Sequence, residues 1–149
     1  MRGGQGAVPI AERSMIEKII GWGPAALWAA VLFLLSAWDS PGISLDAGVD
    51  KLAHGGAYLI LGLSLAWGRV RTGSGVPVVL LILMGVGYGA LTEGYQMFVP
   101  GREVELLDGL ANALGVLAGY GFFTRFRLYA RGSGVAPDEG TRASSTTQS

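Results

Sequence analysis

The sequence predicts an all-α membrane protein, a bundle of four transmembrane helices with both termini in the cytoplasm. Three observations carry this expectation. Half of the 149 residues are hydrophobic and only 15% are charged, against about 25% charged in ordinary soluble domains. Four apolar runs, each about the 20 residues needed to cross a hydrocarbon core, are separated by short polar segments. Basic residues, finally, sit almost entirely on one side of those runs.

Residues 1–14 are polar and Gly-rich, without the apolar weight to pack, and are expected to be a flexible cytoplasmic start. Residues 15–130 hold the four-helix domain, with a helix expected to begin between Met15 and Ile20. The first span is the apolar run Ile19 to Trp38. A cleaved signal peptide is the competing reading, but no A-x-A-like site follows and three further spans lie downstream. Asp39 to Asp50 is a turn-rich acidic loop. The second span runs from about Asp50 to Val70 and starts polar: Asp50, His54 and Tyr58 recur every four residues and share one helix face. Lys51, beside them, can snorkel to the interface.

A short basic turn, Arg69 to Gly75, leads to the third span, Val76 to Val99. Its first half is featureless apolar sequence; its second half carries Tyr88, Thr92, Glu93 and Gln96. Glu93 precedes Pro100 by seven residues, so it lies roughly 10 Å along the helix from the turn, inside the apolar zone. The fourth span, Leu106 to Phe126, opens with Asp108 and Asn112 four residues apart on one face. Gly115 and Gly119 here, like Gly85 and Gly89 in the third span, form GxxxG pairs that let helix backbones approach closely, and the third and fourth spans are expected to pack tightly. Residues 131–149 are polar, small and aperiodic, and are expected to be disordered.

Orientation follows from charge. Arg2, Arg13, Lys18, Arg69, Arg71, Arg125, Arg127, Arg131 and Arg142 flank the spans on one side and only Lys51 and Arg102 on the other, which puts both termini inside. The polar residues of three spans then share the outer half of the membrane and form an outward-facing cup. An ionisable side chain at mid-bilayer costs roughly 2.5–3.5 kcal/mol on insertion scales, so such residues face a protein interior or a wet cavity.

Composition removes several classes of function. The chain has no cysteine, which excludes disulfides, thiolate nucleophiles and Cys-based zinc sites. No basic tract with interleaved aromatics points to nucleic acid, and a cup facing away from the cytoplasm sees no nucleotide. No cofactor is implied.

The ordered motifs D-K-x-x-H at Asp50, Lys51 and His54, then Tyr58, then E-x-x-Q with F-V-P-G-R from Glu93 to Arg102, then D-x-x-x-N-x-x-G from Asp108 to Gly115, resemble the VanZ-like family of small bacterial membrane proteins. The resemblance covers about residues 50–119. It implies a polytopic helical protein of the bacterial inner membrane, with a founding member linked to teicoplanin resistance and a link to glycopeptide susceptibility. Gly55 departs from the family, which often carries an aromatic there, and is expected to widen the space beside His54.

His54, Glu93 and Asp108 are the candidate catalytic residues. His54 is the one histidine in the chain, with Asp50 a turn away to orient its ring; Glu93, set in a membrane pocket, is suited to exchanging a proton. Asp50, Lys51, Tyr58, Gln96, Arg102 and Asn112 are the candidate substrate contacts, Arg102 offering a planar fork for phosphate or carboxylate at headgroup level. The bland alternatives are an ion pair locking two helices, an interfacial arginine, and helix caps. Three functions compete with a purely structural or partner-recruiting network. A site binding or modifying a membrane lipid or lipid-linked envelope substrate accounts best for the outward cup. A metal site of His54 with carboxylates has weak support from such wide sequence separations. A transporter needs polar residues through the inner half, where Ser36 and Ser64 offer little. Whether the protein is an enzyme, and whether it forms a homo-oligomer, stay open.

Overall fold

A computed structural model describes residues 10–37, 47–99 and 105–132, and every regular element within them is an α-helix. These are α1 (Ile10–Ala37), α2 (Ala47–Arg71), α3 (Val78–Gln96) and α4 (Leu106–Gly132). Arg102, the acidic loop after the first helix, and most of both terminal segments lie outside the described residues. α1 begins at Ile10, ahead of Met15, and runs through Pro24 without a break.

Three helices are long and apolar enough to cross a membrane: Ser14–Ala37 within α1, Val78–Gln96, and Leu106–Arg131 within α4. α2 is 25 residues long, about 37 Å at 1.5 Å per residue, but its composition falls short because Asp50, Lys51 and His54 occupy one end and Arg69 and Arg71 the other. Its side chains explain how it is accommodated. Tyr58, Leu61, Leu65 and Ala66 of α2 form the centre of the core, with Ala25 and Leu32 of α1, Leu81 of α3, and Val116 and Tyr120 of α4 around them. Leu27, Leu34, Leu83, Leu91, Leu114 and Phe126 point outward and are exposed, as lipid-facing residues are.

α2 lies against each of the other three helices, whereas α1 and α4 have no close backbone approach among the described residues. Around the bundle the order is therefore α1, α2, α4, α3. α3 packs on α4 as expected, but the most extensive contact is between α2 and α4. Gly115 and Gly119 rest on the main chain of α2 at Gly55 and Leu59, and Gly62 of α2 rests reciprocally on Val116 of α4, so a methyl group at any of the three would strike backbone. Gly85 and Gly89 instead meet side chains, Val116 and Asn112 respectively. A GxxxG pair announces a close approach but not its partner, and the small residues of α2 make it the better match.

Partly buried polar groups tie α1 to α2 and to α3. The Trp28 indole donates to the Ala57 carbonyl at 2.7 Å, and the Tyr88 hydroxyl donates to the Ala29 carbonyl. At the opposite end of α2, Gly73 adopts a positive φ of 61°, the left-handed conformation in which glycine carries no Cβ penalty. The Gly73 and Ser74 amides then return to the Val70 and Arg69 carbonyls, and Arg69 Nε reaches Val76 O at 2.9 Å, fixing the turn into α3.

Candidate functional site

Antiparallel packing places the start of α2, the end of α3 and the start of α4 at one end of the bundle, and each contributes polar side chains on the face it turns inward. The innermost group is His54, Glu93 and Asn112, one residue from each helix. Asn112 is almost fully buried, at 1% exposure, and joins the other two: its Nδ2 donates to Glu93 Oε1 at 3.1 Å, while its Oδ1 lies 3.2 Å from His54 Nδ1. His54 Nδ1 is also 3.4 Å from Glu93 Oε1. In lipid such a buried set is stable only because its members satisfy one another across helices.

A second, shallower group surrounds the other ring nitrogen. His54 Nε2 is 4.0 Å from Asp50 Oδ1, too far for a hydrogen bond. The ligand-capable atoms of Asp50, His54 and Asp108 all lie within 4.8 Å of one another. Lys51 closes the rim: its ammonium donates to Glu105 Oε2 at 2.7 Å and lies 3.4 Å from Asp108 Oδ1. Asp108 is buried, whereas Glu105 is exposed.

Eight of the nine expected site residues thus fall at one end of the bundle, but in different roles. His54, Glu93 and Asn112 are in mutual contact; Asp50, Lys51 and Asp108 form the rim around His54. Tyr58 is enclosed one turn deeper, bonded to the Thr92 hydroxyl, which itself donates to the Gly89 carbonyl at 2.9 Å. Gln96 is buried on α3 one turn beyond Glu93, with no hydrogen bond to the group among the described residues. Arg102 lies outside them. Gly55 faces α4, where a Cβ would make an ordinary contact, 3.6 Å from the Ala111 carbonyl. Sequence reasoning missed Glu105 as the Lys51 partner and Thr92 as the Tyr58 partner. The available signal for Glu105 was its place three residues before Asp108, hence on the same face of the opening turn.

A family model described as VanZ/LLP1 matches residues 10–127. The chain belongs to the VanZ/LLP1 family. That match takes in α1, to which the motifs of residues 50–119 contributed nothing, and it embraces every helix carrying the cluster. No curated protein and no solved structure matches the chain. VanZ/LLP1 membership and three apolar helices together make it a membrane protein of the VanZ type.

Proposed function

We propose that this VanZ/LLP1 protein crosses the bacterial inner membrane four times, with both termini cytoplasmic, and uses an outward-facing polar pocket to bind or modify a lipid-linked or cell-wall-related envelope component. Such an activity affects susceptibility to glycopeptide antibiotics. One observation supports the reading: His54, Glu93 and Asn112, from three helices, meet in a hydrogen-bonded group at the end of the bundle away from Lys18, Arg69, Arg71, Arg125, Arg127 and Arg131. The α2 helix makes the fourth crossing, its polar end shielded by α3 and α4 and its apolar residues forming the core. With its Nδ1 held, the His54 ring can take or give a proton at Nε2.

Extraction and mass spectrometry of lipids retained by the purified protein test the binding step. The expected result is a lipid-linked or wall-derived species that His54→Ala loses while its helical content stays unchanged. Retention of nothing but bulk phospholipid by both proteins overturns the reading. A purely structural network is the second reading, favoured by the complete engagement of Asn112; it requires that His54→Ala and Glu93→Gln reduce folded protein and biological effect in equal measure.

A further inference from the structure

The inner and outer groups meet at one imidazole, and the inner group decides which nitrogen the outer group receives. Asn112 turns its amide nitrogen to Glu93 Oε1 and its oxygen to His54 Nδ1. Nδ1 must then carry the ring hydrogen, which leaves the lone pair of a neutral imidazole on Nε2. That nitrogen stands 4.0 Å from Asp50 Oδ1, and Asp50, His54 and Asp108 each offer a ligand atom within 4.8 Å of the other two.

Two observations independent of this spacing point to a cation there. The Asp108 side chain is only 6% exposed, and its Oδ1 has no hydrogen bond among the described residues, the Lys51 ammonium standing 3.4 Å away. Among the described residues the charge around it is also one-sided. Asp50, Glu93, Glu105 and Asp108 crowd this end of the bundle against Lys51, whose ammonium is already held by Glu105. Such a field repels a phosphate and attracts a positive ion.

We propose that Asp50, His54 Nε2 and Asp108 bind one divalent transition-metal cation, Zn²⁺ or Mn²⁺, with Glu93 and Asn112 as positioning residues that fix the ring. Imidazole suits zinc, and carboxylates extend the choice to manganese. Ligand atoms about 2.0–2.1 Å from a tetrahedral zinc stand roughly 3.3 Å apart, so three atoms within 4.8 Å close on an ion through small side-chain rotations. The Glu93–His54 contact has the arrangement in which a carboxylate orients a metal-binding imidazole. A cation here would let an acidic cup accept a phosphorylated envelope component; that consequence rests on the proposed function, whereas cation binding does not.

The test is calorimetric titration of the full chain, purified in detergent and stripped with a chelator, with zinc chloride and with manganese chloride, in the absence of any substrate. One ion per chain is expected. Asp50→Asn, at a side chain 31% exposed and outside the buried core, is expected to fold and to bind about ten-fold or more weakly. Glu93→Gln, which touches no ion, is expected to weaken binding by about 10- to 100-fold through the ring. Lys51→Met, which removes a competing positive charge, is expected to bind more tightly. No stoichiometric binding of either ion by the unaltered chain overturns the proposal, as does unchanged affinity in Asp50→Asn or weaker binding in Lys51→Met. A chain that binds no ion yet retains an envelope lipid in a His54-dependent way refutes the cation site and leaves the proposed function standing; ion binding without lipid retention does the reverse.

Discussion

Gly119→Ala probes the contact that brings the cluster together. A Cβ on Gly119 would stand 2.9 Å from the Leu59 carbonyl carbon and 3.0 Å from the Leu63 amide nitrogen, and nearer still to the Leu59 oxygen. Non-bonded heavy atoms settle at about 3.5–4.0 Å, so α2 and α4 must part by about 1 Å or more. Both obstacles are helical main chain and cannot rotate away. A gap of about 0.5–1 Å forfeits a quarter to a half of the dispersion attraction across it, and overpacking typically costs about 1–3 kcal/mol. The rigid neighbours place Gly119→Ala in the upper part of that range, about 2–3 kcal/mol. Gly121, two residues further along the same helix, has nothing within 4 Å of its Cβ position, and alanine is favoured over glycine inside helices by about 0.8–1.0 kcal/mol. Unfolding of both variants by titration with sodium dodecyl sulfate, followed by circular dichroism, reads the difference. The midpoint should fall for Gly119→Ala and hold or rise for Gly121→Ala. Equal shifts, or a more stable Gly119→Ala, would refute the backbone contact.

Asn112→Ala removes the amide that bridges Glu93 and His54, and the same unfolding assay should show a loss of about 1.5–3 kcal/mol, the range for hydrogen bonds to charged groups; a change within error would mean that water replaces the amide. Tyr58→Phe breaks the bond to Thr92, whose hydroxyl keeps the Gly89 carbonyl, and should cost about 0.5–1.5 kcal/mol with lipid retention intact. Loss of lipid without loss of stability would instead make Tyr58 a substrate contact. A reporter fused after Ser149 should be active only in its cytoplasmic form, and an exterior signal would invert the cup.

How much was legible in advance depends on the range of the interaction. The four-residue spacing of Asp50, His54 and Tyr58 places them on one face of α2, as periodicity requires, yet their partners are set by which helices touch. Lys51 reads as a snorkelling cation from its own surroundings, and only the register of α4 against α2 turns it toward Glu105. Gly115 and Gly119 mark a face built for close approach, but the pattern carries no address, and the facing glycine proves to be Gly62. Hydropathy identifies α1, α3 and α4 as lipid-compatible, while the central place of α2 depends on burial that no local window contains.

The mixed character of α2 bears on how the chain is made. A segment with charged or polar residues at both ends and glycines along its middle has little affinity of its own for lipid. The glycine-lined surface that accommodates it belongs to α4, which leaves the ribosome only after α3. A chain truncated before α4 should therefore leave this helix open to protease. The last helix would thus act during biogenesis as the internal docking surface for the second.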